Sequence, residues 1–255
     1  MIKFLLLGHG RTGSNILVKG LAEHPRVRIG GELFHLEEEQ RKKTDPNPRR
    51  SRPPESSASR YYRDNESGAD FLREAVFYER DGGDALAVGF KIFYNHARDN
   101  PNVKTAWDYL IGDRSIRVIH LKRRNLLESF ISLKIALITK EWRRWQGTST
   151  PPVLTPPFRL GPEECDAYFN QMNAYRLWAA SAFRDHALLK VEYERDICTR
   201  FEANMHAIHD FLGVPREPAQ PLLEKQALRS PREQVLNYDE LKWYFRHTLY
   251  EEYFD

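Results

Sequence analysis

Cysteine is scarce: Cys165 and Cys198 are the only two in 255 residues, so neither a disulfide framework nor a cysteine-based zinc site can be drawn from the chain. That scarcity fits a reducing, cytoplasmic setting. Long apolar runs are missing as well. Stretches such as Phe4 to Leu7 and Ile135 to Ile138 fall far short of the ~20 residues that cross a bilayer. Met1-Ile-Lys-Phe-Leu-Leu-Leu runs straight into Gly8-His-Gly, with no small-residue cleavage site behind it, and reads as a buried strand and its turn rather than a signal peptide. No internal repeat occurs. His9, His96 and His120 each fall near an expected strand end, but no His/Asp/Glu spacing marks a metal site. Net charge is low at +3, and its distribution is uneven. Between Arg41 and Gly68, eight basic residues face four acidic ones, giving +4, so the rest of the chain sums to −1. That balance argues against a nucleic-acid-binding domain.

What the chain does have is enough apolar content, 41% of residues, to bury one sizeable core, and residues 1–255 read as a single domain. The run Ile2 to Leu7 predicts a strand buried on both faces of a parallel sheet, and Asn15 to Glu23 carries Ile16, Leu17, Leu21 and Ala22 at helical spacing. The alternation continues with strands at Val27 to Ile29, Leu86 to Tyr94, Ile116 to Leu121 and Leu188 to Glu192. Helices are predicted at Ala69 to Arg80, Pro101 to Asp113, Asn125 to Thr139, Pro162 to Asp185 and Arg195 to Leu212. A repeated βαβ order predicts an α/β fold, a doubly wound parallel sheet flanked by helices. Two stretches interrupt it: the basic segment 41–68 and the proline-rich segment Gln146 to Gly161 each read as a long loop or lid.

Gly8-His-Gly-Arg-Thr-Gly-Ser-Asn15 lies between the first strand and the first helix, where backbone N–H groups and the helix dipole converge on an anion. Gly10 and Gly13 allow close backbone approach, Arg11 supplies a donor fork, and Thr12, Ser14 and Asn15 can donate to phosphate oxygens. A nucleoside-triphosphatase loop places lysine directly after its last glycine, whereas Ser14 follows Gly13 here. The strand Ile116 to Leu121 also runs into Lys122-Arg123-Arg124 rather than a metal-holding carboxylate. These features disfavour kinase or ATPase chemistry. The same three cations sit at a strand's carboxyl end, where open α/β sheets bind ligands. An arginine at the strand end and Ser132, two turns into the following helix, can together grip one phosphate; the alternative is that the three cations form a solvated patch and Ser132 back-bonds within its helix. A glycine loop plus a separate, metal-free basic site suits a nucleotide phosphorylated at two places.

These residues resemble the sulfotransferases that use 3′-phosphoadenosine 5′-phosphosulfate (PAPS). Arg11-Thr-Gly-Ser-Asn15 looks like that family's 5′-phosphosulfate loop, and Arg124 to Ser132 shows its 3′-phosphate spacing. Leu21-Ala-Glu-His-Pro25, Gly31-Glu-Leu-Phe34, Val88-Gly-Phe-Lys91, Leu189-Lys-Val-Glu-Tyr-Glu194, Phe211-Leu-Gly-Val-Pro215 and Asn237-Tyr-Asp-Glu-Leu241 follow in the order of bacterial carbohydrate sulfotransferases of the nodulation-factor and lipopolysaccharide type. Arg11 stands where the family often has lysine. The C-terminal arginine-lysine-glycine motif of the aryl and steroid branch is not found.

The resemblance implies a P-loop-like fold and sulfuryl transfer from PAPS, without metal, to a hydroxyl of a carbohydrate or glycolipid. It implies Glu32 as general base, with His35 as the nearby substitute, and Arg11 and Lys91 as charges on the transferring group. Gly10, Arg11, Thr12, Gly13, Ser14, Asn15, Arg124 and Ser132 would hold the donor. The excess charge of the 41–68 segment offers peripheral contact with an anionic acceptor or lipid headgroups. Three alternatives remain open on the residues alone: a small natural product as acceptor, a P-loop kinase with a degenerate lysine, and a non-catalytic nucleotide-binding protein.

Overall fold

The computed structural model describes residues 1–34, 62, 66–78, 84–98, 101–142, 154–221 and 229–254. Strand β1 (Ile2–Gly8) leads into helix α1 (Ser14–Ala22) and strand β2 (Val27–Glu32). A short helix α2 (Gly68–Phe71) continues as one π turn, Leu72–Val76, before β3 (Ala87–Phe93), α3 (Pro101–Gly112), β4 (Arg117–Lys122) and α4 (Leu126–Thr139). Helix α5 (Pro162–Ala182), β5 (Leu188–Glu192), a π turn Tyr193–Ile197 and α6 (Phe201–Leu212) follow. The chain closes on α7 (Pro231–Gln234), α8 (Tyr238–Phe245) and a 3-10 turn, Glu251–Phe254.

The five strands form one all-parallel sheet in the order β2-β3-β1-β4-β5. Period-two alternation in β1 divides the core. Phe4 and Leu6 pack with α1 and α6, whereas Leu5 and Leu7 pack with α2, α3 and Phe183. A third cluster is all-helical and joins α4 to α5, α8, Tyr253 and Phe254. The chain goes from β1 to β2 and β3 on one side and to β4 and β5 on the other. The direction of winding therefore changes beside β1, the position where doubly wound sheets open a crevice at their carboxyl edge.

Three expected elements differ in extent. β2 does not stop at Ile29 but runs to Glu32 through a bulge: Gly30 pairs with Phe90, and Glu32, not Gly31, pairs with Lys91. The helix expected from Ala69 to Arg80 starts at Gly68, capped by the Ser67 hydroxyl, and ends where Phe77 N donates to Leu72 O. The helix expected from Arg195 splits. Cys198 N donates to Tyr193 O and Thr199 Oγ1 to Glu194 O, Arg200 leaves helical geometry, and α6 begins at Phe201. Of the proline-rich stretch, residues 154–161 are described, and Phe158 forms a single bridge to Val235. The 41–68 segment lies outside the described residues except for Tyr62 and Glu66–Gly68; Tyr62 packs on Phe34 and Phe71. Among the described residues no helix is long and apolar enough to cross a membrane.

Candidate active site

The loop after β1 turns on two residues in the left-handed region, Arg11 at φ 66 and Gly13 at φ +80. Left-handed backbone at a non-glycine residue stores strain and is concentrated at functional sites. Glycine at 13 is also required sterically, because a Cβ there would lie 2.6 Å from the Tyr193 ring. Gly8 is pinned in the same way by Leu121 O, 2.8 Å from its would-be Cβ, so the loop presses directly against β4. Thr12 is fully buried and its hydroxyl donates to His9 O at 2.8 Å, which turns it into the loop rather than towards a ligand. Ser14 opens α1, with Gly13 rather than Ser14 as the capping residue and no side-chain cap hydrogen bond.

The β2 bulge brings three predicted residues together. Lys91, 2% exposed, sets its Nζ 2.7 Å from Glu32 Oε1 and donates to Asn15 Oδ1 at 2.6 Å. Lys91 pairs in register with Leu6, so it emerges on the α1 side of the sheet, where Asn15 stands. Asn15 thus accepts from lysine through Oδ1, while its Nδ2 keeps its capacity to donate. Glu32 Oε2 lies 3.8 Å from His96 Nε2, and the Glu32 side chain is about a quarter exposed, with accessibility 24%. His35 lies outside the described residues.

Arg11 reaches in the other direction. Its Nε donates to Ser132 Oγ at 3.0 Å and its Nη1 to Trp142 O at 2.9 Å. The glycine loop and the α4 serine are therefore joined through one guanidinium.

The end of β4 is crowded with cations. Arg123, only 4% exposed, donates to Arg11 O at 3.1 Å and to Glu128 Oε2 at 2.5 Å, and its guanidinium lies 4.6 Å from the Tyr193 ring centre. Arg176 on α5 donates to Arg123 O. Arg124 by contrast is exposed, and its side chain has no hydrogen-bonded or ionic partner among the described residues. Burial, with Arg123 alongside, brings the Arg11 guanidinium down to about 10, and burial with Arg176 and Lys190 also lowers Lys122. Cations held together against their mutual repulsion are what an anion site presents. His9 and His120 add no charge. His9, buried and beside Arg176, is pushed down to about 3, and so is His120, buried beside Lys122 with its Nε2 2.6 Å from Tyr94 Oη. Gly10 O can only accept, so the proton of neutral His9 sits on Nδ1.

The fold thus unites Glu32, Lys91 and Asn15, and separately Arg11 and Ser132. It leaves Arg124 reaching outward and turns Thr12 away. Sequence reading placed Arg123 among the three rim cations without a role of its own, and missed Arg176, Tyr193 and Glu194 as contributors. Arg176 carries no local signal, whereas Tyr193 and Glu194 lie inside the Leu189 to Glu194 motif. Among the described residues no group of three or more His, Cys, Asp or Glu is arranged to hold a metal.

No family model matches the chain. Nodulation protein H from Rhizobium meliloti is 27% identical over 99% of this chain and 94% of its own, and nodulation protein H from Rhizobium tropici is 28% identical over 99% and 92%. A solved sulfotransferase from Alicyclobacillus acidocaldarius aligns with 96% of this chain and 91% of its own at TM-score 0.47 and 15% identity, a likeness too distant to bear on the site. The ordered motifs, carried on an all-parallel α/β sheet, and the match to the nodulation H proteins along nearly the whole chain support a bacterial sulfotransferase family.

Proposed function

We propose that the protein transfers a sulfuryl group from PAPS to a hydroxyl of a carbohydrate or glycolipid, with Glu32 accepting the hydroxyl proton. The observation that carries this reading is the convergence of Glu32, Lys91 and Asn15 beside a strained glycine loop whose Arg11 spans to Ser132. In this reading the loop amides of Gly10 to Asn15 and the α1 N-terminus hold the 5′-phosphosulfate, and Arg124 and Ser132 hold the 3′-phosphate. The acceptor oxygen attacks sulfur as its proton passes to Glu32. The bond to the bridging oxygen breaks, and the new charge on the leaving 5′-phosphate meets the loop amides and Arg11. Lys91 anchors Glu32 through one carboxylate oxygen and brings positive charge to the transferring group. The acceptor class rests on the resemblance to nodulation-factor and lipopolysaccharide sulfotransferases, and the full-length likeness to nodulation protein H supports it. We place the reaction in the cytoplasm, where the basic 41–68 segment supplies counter-charge to an anionic acceptor or to headgroups.

The test is incubation with PAPS and a panel of chitooligosaccharide and glycolipid acceptors, with mass spectrometry reading the gain of one sulfuryl group. Glu32→Gln is expected to keep binding of adenosine 3′,5′-bisphosphate while losing transfer by about 10²- to 10⁴-fold, the usual contribution of a positioned base. Transfer at the unmodified rate in Glu32→Gln removes Glu32 from the chemistry. Stabilisation by magnesium-ATP in preference to the bisphosphate removes the donor assignment.

A further inference from the structure

The backbone amides that open α4 are already engaged. Glu194 Oε2 accepts from Arg124 N at 2.9 Å and Oε1 from Asn125 N at 3.1 Å, and Oε1 lies 3.9 Å from Arg123 Nε. These two amides stand just before the first turn of α4, at the N-cap Asn125 and the residue preceding it, and a carboxylate of the chain itself occupies them. Glu194 is held from behind, since Thr199 Oγ1 donates to its carbonyl at 3.0 Å. The preceding residue, Tyr193, fills the space beside Gly13 and lies under Arg123. One dipeptide after β5 therefore touches both the glycine loop and the turn that carries Arg124.

We infer that Glu194 is a positioning residue for donor recognition: its carboxylate clamps the backbone of Arg124 and Asn125 and fixes the direction in which the Arg124 guanidinium leaves the turn. The inference rests on the proposed role of Arg124. Glutamine at 194 turns one of the two acceptor oxygens into an N–H donor facing another N–H, so one amide loses its partner, the turn loosens, and the guanidinium is no longer held in one place.

The experiment is calorimetric binding of adenosine 3′,5′-bisphosphate and of adenosine 5′-monophosphate to the full chain, unmodified and with Glu194→Gln. The bisphosphate is expected to bind about tenfold more weakly to Glu194→Gln, the scale of one charge-assisted hydrogen bond, with 5′-monophosphate affinity held within about twofold. Glu194→Asp keeps a charged acceptor for one amide and is expected to retain more of the preference; it supplies the test if the glutamine variant does not fold. An unchanged ratio of the two affinities in the folded variants, an equal loss of both ligands, or tighter binding of the bisphosphate overturns the inference while leaving the donor reading intact. An unmodified protein that does not prefer the bisphosphate overturns the Arg124 assignment and this inference with it.

Discussion

Replacing Gly13 with alanine puts a methyl group where Tyr193 stands. The added Cβ would lie 2.6 and 2.7 Å from Cδ2 and Cε2 of that ring and 3.3 Å from Ile197 Cδ1, at a backbone φ of +80. Two costs add: about 1–2 kcal/mol for a side chain in the left-handed region and about 1–3 kcal/mol for overpacking a filled site. The ring cannot move aside cheaply, because it is 7% exposed and has the Arg123 guanidinium 4.6 Å from its centre. A total of about 2–5 kcal/mol lowers the melting temperature by roughly 5–15 °C in a domain of this size. Scanning calorimetry without ligand reads this loss. Repeating the scan with adenosine 3′,5′-bisphosphate reads a second effect, a smaller ligand-induced rise, because displacing Tyr193 shifts Arg123 and with it the Arg11 carbonyl it holds. The double variant Gly13→Ala/Tyr193→Leu opens the space and recovers part of the loss. A drop below about 2 °C for Gly13→Ala, or strict additivity in the double variant, would refute the clash as the reason for glycine.

Lys91→Met removes the ammonium between Glu32 and Asn15; a loss of about 2–4 kcal/mol is expected in urea unfolding, with transfer activity lost as well, and unaltered stability counts against the pair as a structural tie. Acid sensitivity is a further outcome. His9 and His120 hold pKa values of about 3 when folded against an ordinary 6.5, so the unfolded chain takes up protons first as pH falls. Stability is therefore undiminished above about pH 6.5 and declines between there and about pH 3, by about 1.4 kcal/mol per pH unit for each histidine. Melting temperatures from pH 7.5 downwards check this, with His120→Gln expected to flatten the slope; a midpoint that holds steady to about pH 4.5 contradicts it.

The central strands were legible because they are buried on both faces, so apolar runs such as Ile2 to Leu7 mark them without ambiguity, and the less buried edge strand β5 also matches its expected limits. Helix ends were legible where a side chain or proline marks them, as Asn125 does for α4 by accepting from Glu128 N at 2.9 Å. What escaped were departures from regular periodicity. A bulge has no composition of its own, so nothing in Gly30-Gly31-Glu32 foretold that the carboxylate would come opposite Lys91. The π turn Tyr193–Ile197 continues the apolar spacing of a helix while its hydrogen bonds skip a residue. In the site, motif residues were found and their directions were not. Arg11, Asn15 and Thr12 sit in the predicted loop, yet partners 121 and 76 residues away decide where Arg11 and Asn15 point, and a loop carbonyl three residues back turns Thr12.

Asn125, at the start of α4, donates through Nδ2 to Tyr253 O, across 128 residues of chain, and Tyr253 and Phe254 seal the helical cluster beneath it. During synthesis the glycine loop emerges early, but the turn carrying Arg124 stays without this support until Tyr253 has left the ribosome. Loop-closure entropy over so long a separation makes this contact slow to form. If Arg124 holds the donor as proposed, a ribosome-bound chain stopped before Tyr253 would contain every proposed phosphate-binding residue without yet having this support for the turn that carries Arg124.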